Sequence, residues 1–465
     1  QSFHRRLLAA QGSGYGAYLD LGAFRILSAS PELFFRREGD TITVRPMKGT
    51  ARRGRWVEED EAAAARLAAS EKDRAENLMI VDLMRSELGR LARFGTVRVP
   101  RLFDVERYRT VHQMTSTVTA ELRPGTTLEE IFAALFPCGS VTGAPRVAAM
   151  RTIAELERDP REVYCGAIGY VEPGGDCTFN VAIRTLWQDV AAGTAEYGAG
   201  GGITWDSTAE GEYDEALAKA ALLDRDWPSF ELLETLRLED GAYHRFERHL
   251  DRIRRSAAYF VVPDPAPAAR AALADHARVW PDGNRRVRLL VDQEGRARVE
   301  SRPLADDDLG LPVPPRGAAA RRLASPRAVA LAREPVDRHD PFLCHKTTHR
   351  EAYDRRMEPG LFDVLLHNQE GELTEFTRGN LVVELDGRLW TPPRESGLLA
   401  GCFRAELLEL GEIAECVLRP ADLRRASGVW FINSVRGWVP VRIVTATGEG
   451  VGAERVERTQ RWRQG

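Results

Sequence analysis

The sequence predicts a mixed α/β (α+β) protein of more than one domain, and three observations carry that expectation. The chain has 465 residues, room for roughly three units at the usual domain size of about 150 residues. Short runs of aromatic, aliphatic and small residues bounded by glycine or charged turns, such as Tyr15 to Leu27 and Thr41 to Val44, read as strands. Between them lie stretches rich in Ala, Leu, Glu and Arg, above all Glu58 to Leu91, that read as helical.

Composition excludes several classes. A hydrophobic fraction of 43% with 29% charged residues is that of a globular chain. A net charge of -4 gives no basis for general nucleic-acid binding. No uninterrupted apolar run reaches the roughly 18 residues of a membrane span, so no membrane association is expected. The start, Gln1 to Arg6, lacks the apolar region of a signal peptide. Opening on Gln rather than Met, the chain reads as a fragment. The six cysteines are scattered without a C-x-x-C pair, which predicts reduced thiols in a cytoplasmic protein.

Among 65 basic residues only four are lysines: Lys48, Lys72, Lys219 and Lys346. Arginine stays protonated and cannot act as an amine nucleophile or join a carbonyl. A lysine kept in such a background is a candidate for amine chemistry, and the surroundings of Lys48 and Lys346 favour that reading.

In the first half, the turn Arg37-Glu38-Gly39-Asp40 joins two strands and is expected to place Glu32 and Lys48 on neighbouring strands of one sheet. The segment Glu76 to Arg85 puts acids among apolar residues at helical spacing, where an inward carboxylate is costly unless paired or metal-bound. Tyr108 to Leu122 reads as a strand, and Leu135 to Arg146 as a glycine- and hydroxyl-rich loop opening a helix that runs to about Leu156. Cys165 to Val171 and Cys177 to Trp187 read as paired strands. Gly200-Gly201-Gly202 lets backbone approach a ligand closely, and Glu212 to Lys219 begins a helix.

In the second half, Phe230 to Arg237 is a strand, Glu239-Asp240-Gly241 a hairpin turn, and Arg245 to Ile253 the start of an amphipathic helix. Arg286 to Val291 and Ala297 to Ser301 form a strand pair, and Pro312 to Arg333 a connector. Cys344-His345-Lys346-Thr347-Thr348-His349 surrounds the last lysine, with both histidines expected at the surface. Gly397 to Arg404 is a loop opening a helix whose backbone amides suit a phosphate.

The stretches Ser28–Phe34, Arg45–Thr50, Glu76–Arg90, Val111–Val118, Phe136–Arg146, Tyr164–Tyr170, Asn180–Thr185, Gly200–Ser207 and Glu212–Ala220 together resemble the chorismate-utilising enzymes. Lysine at position 48 resembles the aminodeoxychorismate synthases, whereas anthranilate synthases carry alanine there. The resemblance implies a β-sandwich flanked by helices, with Mg²⁺ held by Glu76 and Glu215. It implies Lys48 as a covalent nucleophile toward C2 of chorismate and Glu32 as acid/base at the leaving hydroxyl. Substrate carboxylates would meet Tyr164, Arg184, Lys219 and the backbone of Gly200, Gly201 and Gly202, with Gly49 and Thr50 lining the pocket. Departures are Ser86-Glu87 in place of Asn-Asp, Arg146 in place of lysine, Gln113 in place of a histidine, and the lack of the family's region before Tyr15.

Residues 230–445 resemble the fold-type IV pyridoxal-phosphate enzymes, of two subdomains. That implies Lys346 as the residue carrying pyridoxal 5'-phosphate, Glu375 as partner of its ring nitrogen, and Arg245, Ser434 and the amides of Cys402 and Phe403 around its phosphate. Phe403 departs from the threonine of many relatives. The expected organisation is a chorismate-binding domain over 1–223, a linker over 224–229, the second domain over 230–445 and a tail over 446–465. A synthase fused to a lyase implies conversion of chorismate and ammonia, through aminodeoxychorismate, to 4-aminobenzoate for folate synthesis. A separate glutamine amidotransferase as ammonia source and a homodimer are the implied partners. The rivals are an anthranilate-type first half with a branched-chain or D-amino-acid aminotransferase-like second half, and a degenerate first half that scaffolds an active second.

Overall fold

In the computed structural model, residues 1–12, 14–205, 207–223, 227–305, 308–313 and 326–444 are described. The expected linker lies partly, and the expected tail from 446 wholly, outside them. The chain divides into two compact units, one of Gln1–Gly54 with Glu58–Pro228 and the other of Arg55–Val57 with Ser229–Gly465.

The first unit holds a four-stranded and a seven-stranded sheet. Tyr15–Asp20 and Phe24–Ser30 form an antiparallel hairpin turning at Gly22, whose φ of 78° suits glycine. The larger sheet runs Met47–Arg52, Val111–Glu121, Thr41–Arg45, Leu33–Glu38, Cys177–Val181, Ala167–Val171, with Arg98–Arg107 also beside Val111–Glu121. The stretch read as one helix is two, Val57–Ala69 and Glu71–Gly89. Ser70 ends the run by capping the second helix, its side chain accepting from the Asp73 amide. The second helix then lays Ile80, Val81, Met84 and Leu88 on Phe34, Phe35, Ile42 and Val44 of the sheet. Each such side chain contributes about 1.5–3 kcal/mol on burial, and this packing fixes the helix face that carries Glu76 and Asn77.

Two sequence expectations need correction. Cys177 to Trp187 is not one strand: it breaks after Val181 and resumes at Thr185 in the four-stranded sheet. Arg184, at a φ of 51°, makes the turn. Lys48 is not on the strand next to that of Glu32. The Met47–Arg52 strand pairs with Val111–Glu121. It continues Thr41–Arg45 past Pro46, which has no N–H to give a ladder, and Leu33 lies opposite Arg45.

The second unit has a smaller antiparallel sheet, in the order Ala242–Tyr243, Leu232–Glu239, Asn284–Val291, Ala297–Pro303, covered by helices Phe246–Phe260 and Ala266–Val279. Its hairpin turns at Asp240 and Gly241, both with positive φ. The larger sheet has eight strands, with Arg327–Leu331 parallel to both Asp363–His367 and Gly437–Ile443. Part of the connector read from Pro312 to Arg333 lies outside the described residues. Lys346 follows the short helix Pro341–Cys344 and is tied to the smaller sheet: its carbonyl accepts from the Leu233 amide at 2.9 Å, and Leu232 bridges Thr347.

Candidate active sites

In the first half, Met47–Arg52 carries Lys48, Gly49 and Thr50. Lys48 is half-buried. Gly49 has a φ of 94°, and a Cβ there would come 3.0 Å from that of Asp73, so only glycine lets this strand pass. Thr50 is exposed and donates to Gln113 Oε1 at 3.1 Å. Glu32 is buried just ahead of the strand Leu33–Glu38, with Oε1 unpartnered. Burial pushes its carboxyl up to about 7, against the opposing pull of a Ser140 hydrogen bond and the Lys48 charge. A carboxyl that can give or take a proton near neutrality thus sits within the field of an amine.

The glycine run brings bare backbone up against the tips of three side chains. A Cβ on Gly202 would lie 2.7 Å from Lys48 Nζ, on Gly201 2.5 Å from Glu212 Oε2, and on Gly200 3.2 Å from the Tyr164 hydroxyl. Lys48, Tyr164 and Glu212 therefore converge on one stretch of backbone. Glu212 was not singled out from the sequence, although its Oε2 is buried and unpartnered. Lys219 donates to the Gly200 carbonyl at 2.8 Å and pairs with Glu215 at 2.5 Å. Arg184 sits beside Tyr197, whose phenol burial pushes up and Arg184 draws down. Glu76 is half-buried on Glu71–Gly89. Its neighbour Asn77 donates to the Lys48 carbonyl at 3.3 Å and accepts from Ser116 at 2.6 Å. Among the described residues no three His, Cys, Asp or Glu ligand atoms converge in this half.

Two departures noted separately in the sequence explain one another. Arg146 pairs with buried Glu87 at 2.9 Å and donates to the Ala134 carbonyl at 2.9 Å. Burial pushes Glu87 up to about 7 even with Arg146 pulling it down.

In the second half, a cavity of about 310 Å³ is lined by Lys346, Glu375, Arg252, Tyr353, Asn380, Cys402 and Ser434, among others. Lys346 is lowered to about 8, first by burial and then by the Arg252 and Arg350 charges. Glu375 is buried on the strand Leu373–Phe376 and pushed up to about 7 by desolvation. It accepts from the Tyr353 hydroxyl at 2.9 Å, the Leu399 amide at 3.0 Å and Asn380 Nδ2 at 3.2 Å. Gly401 keeps Asn380 in place, since a Cβ there would fall 2.1 Å from its Oδ1.

The helix Cys402–Glu409 begins at the cavity wall and presents the unpaired amides of its first turn. Cys402 and Ser434 line the cavity, whereas Phe403 does not and turns its ring onto Trp438. Arg245 does not line the cavity. It precedes the helix Phe246–Phe260 at a φ of 57°, pairs with Glu406 at 2.6 Å and lies over the Phe403 ring. Arg252, two turns further on, lines the cavity instead. Its guanidinium is held by Glu234 at 2.7 and 2.6 Å, and Glu234 also meets His249 at 2.7 Å. A signal for Arg252 was present, since it lies between the core residues Leu250 and Ile253. The histidines expected at the surface also line the cavity, and His345 is buried, stacked on Tyr259 and bonded to Ser256.

Each half thus sets a lysine against a buried glutamate in a built site. Residues 1–225 match the family model of chorismate binding enzymes, and residues 231–444 that of class IV amino-transferases. The chain joins a chorismate binding enzyme domain to a class IV amino-transferase domain. It is 45% identical over 214 residues to aminodeoxychorismate synthase component 1 of Escherichia coli, covering 46% of this chain and 47% of that one. It is 40% identical over 223 residues to anthranilate synthase component 1 of Aquifex aeolicus, covering 48% and 44%. A crystal structure described as an amino-acid aminotransferase from Mesorhizobium loti is 32% identical with a TM-score of 0.40, covering 46% of this chain and all of that one. The chain spans less than half the length of the curated relatives it matches.

Proposed function

We propose that the chain makes 4-aminobenzoate in two steps, amination of chorismate at C4 in the first half and release of pyruvate from aminodeoxychorismate in the second. One observation carries the reading: both halves set one of only four lysines against a buried glutamate whose carboxyl is pushed up to about 7.

In the first half, the Lys48 amine adds to C2 as the ring double bonds shift and the C4 hydroxyl leaves, protonated by Glu32. Ammonia then adds at C4, the double bonds shift back, and the C2–N bond to Lys48 breaks. The backbone of Gly200 to Gly202, Tyr164, Arg184 and Lys219 holds the substrate carboxylates, with Gly49 and Thr50 beside them. Glu76 and Glu215, hard oxygen donors, would hold Mg²⁺ against a substrate carboxylate, and the orphaned Glu212 oxygen beside Gly201 fits a cation close by.

In the second half the chain's own groups suit pyridoxal phosphate. The cavity offers a half-buried amine, a buried carboxyl, the unpartnered Nε2 of His249 and a helix N-terminus in one space. Lys346 would carry it, Glu375 would pair with its ring nitrogen, and Arg252, Ser434 and the amides of Cys402 and Phe403 would hold its phosphate. When bound, this group supplies an electron sink for cleavage next to an amine. Lys346, lowered to about 8, is ready to take and return the substrate proton near neutral pH. A separate glutamine amidotransferase as ammonia source and a homodimer belong to the same reading. The six free thiols suit a reducing, cytoplasmic setting.

The test is product identity. The purified protein, loaded with pyridoxal phosphate, is given chorismate, ammonium and Mg²⁺. The expected products are 4-aminobenzoate and pyruvate in equal amounts. Anthranilate instead would reassign the first half, and transfer of an amine to a 2-oxo acid the second.

A further inference from the structure

The cavity around Lys346 is lined by seven arginines: 252, 286, 288, 302, 350, 378 and 436. Five of them are matched. Arg252 is paired with Glu234, Arg288 with Glu300, Arg350 with Asp354, Arg378 with Asp363 and Arg436 with Asp308. Arg286 and Arg302 have no ion pair among the described residues. They lie directly opposite one another on the antiparallel strands Asn284–Val291 and Ala297–Pro303. Like charges facing each other across a ladder destabilise a sheet. Burial and the charges of Arg302, Arg288, Arg436 and Arg378 all press the Arg286 guanidinium below its usual range.

We propose that Arg286 and Arg302 form a carboxylate subsite that takes the end of the substrate remote from its amine, and so select a dicarboxylate amine over an amino acid with an apolar side chain. Each guanidinium carries paired N–H donors that can grip a carboxylate through two bonds, and the two stand opposite one another on adjacent strands at the cavity. An arriving anion converts their mutual repulsion into two attractions. The subsite lies on the smaller sheet, on the same face as Leu233 and Thr235, which also line the cavity. The Leu233 amide holds the Lys346 carbonyl, so one sheet positions both the amine-handling lysine and the anion clamp. This rests on the reading that the second half takes an amine substrate. Aminodeoxychorismate has this form, with a ring carboxylate across from its C4 amine.

The experiment reads binding and turnover separately, on the full chain loaded with pyridoxal phosphate. Benzene-1,4-dicarboxylate and benzamide are titrated calorimetrically into the wild type and into Arg286→Gln, Arg302→Gln and Arg302→Lys. Arg270→Gln, an exposed charge paired with Glu247 outside the cavity, serves as control. Arg302 is exposed on an edge strand, so its variant tests the clamp with little risk to folding. The dicarboxylate should bind, and each glutamine variant should weaken it by about tenfold, the loss of one charge-assisted contact. Arg302→Lys should recover part of that loss, and Arg270→Gln should change nothing. With aminodeoxychorismate the same two glutamine variants should raise KM about tenfold with kcat nearly unchanged. Wild-type dicarboxylate affinity in both glutamine variants, or an equal loss in Arg270→Gln, would overturn the subsite. Arginine-dependent dicarboxylate binding without pyruvate release would keep the subsite and overturn the lyase reading instead.

Discussion

The two lysine–glutamate sites are alike in composition and opposite in construction. Lys346 sits among side chains: Arg252 and Arg350 add to burial in lowering it to about 8. Lys48 stands half-buried on a strand at the edge of its sheet, faced by glycine backbone at Gly202. The walled site sets the proton affinity of its amine before any ligand arrives. The glycine-framed site leaves room for a ligand that brings charge with it, which suits a metal and a dicarboxylate substrate entering together. In both, the glutamate is pushed up to about 7 chiefly by desolvation. A third buried glutamate with the same property, Glu87, faces an arginine instead. The comparison suggests a rule for this chain: lysine opposite a raised carboxyl marks chemistry, and arginine opposite one marks structure.

The largest expected effects break the comparison at its amines. Lys48→Ala should lower aminodeoxychorismate formation by about 10³-fold or more while pyruvate release from supplied aminodeoxychorismate continues. Lys346→Ala should do the reverse, and Lys→Arg at either position should be as damaging as alanine. Separate assays of the two half-reactions check this, and loss of both activities in one variant would show that the halves are not independent. Borohydride should fix pyridoxal phosphate on Lys346 alone, read by peptide mass. Next in size, Glu32→Gln should slow only amination, by about 10²–10⁴-fold for a proton-transfer group, and Glu375→Gln should slow only pyruvate release. Glu76→Ala and Glu215→Ala should abolish the Mg²⁺ dependence of chorismate turnover. An unchanged Mg²⁺ titration in both would remove the metal assignment.

The pH dependence sharpens the comparison, because the two sites predict opposite slopes. If Glu32 must be protonated to release the C4 hydroxyl, amination at fixed free ammonia should fall as pH rises through about 7. Attachment of pyridoxal phosphate to the apo protein needs Lys346 as a neutral amine, so its rate should rise with pH through about 8. Stopped-flow absorbance reads the second and product formation the first. Matching slopes would mean that one of the two groups has a different role.

Much of both sites was legible because their chemistry sits in short segments. The lysines stood out against an arginine background and Gly200 to Gly202 as a run open to close backbone approach, whereas the roles of Glu32 and Glu375 came only with the family resemblance. What stayed hidden depends on distance along the chain. The one local signal for Arg252 over Arg245 is its place between the core residues Leu250 and Ile253; the partners themselves, Glu406 for one and the cavity for the other, are set by tertiary packing. His345 reads as polar, yet its ring is taken up by Tyr259 and Ser256. The break at Ser70 was readable as a cap signal, but the Ala- and Glu-rich residues on both sides masked it. Pro46 interrupts the ladder between Arg45 and Met47, and Lys48 lies in the field of Glu32 without belonging to its neighbouring strand.

The smallest expected effect tests the rule through its arginine case. Glu87 is buried and has one unpartnered oxygen, and Arg146 is its partner at 2.9 Å. Arg146→Met should cost about 3 kcal/mol near pH 8, since it strands a buried carboxylate. The sign with pH follows from the direction of the shift. Glu87 already has a folded-state value raised from 4.5 to about 7, and removing the arginine raises it further. The folded state then holds the proton more tightly than the unfolded chain. The contribution of this group is therefore full below the ordinary carboxylate range and is lost as pH rises through the folded value. The cost of Arg146→Met should accordingly shrink toward pH 5, and Glu87→Gln in the same chain should recover much of it at pH 8. Urea unfolding of the first half, followed apart from the second half's cofactor absorbance, reads all three. Chorismate turnover by the double variant should stay within a few-fold of wild type; a loss as large as that of Lys48→Ala would place Arg146 in the chemistry and break the division between the two kinds of partner.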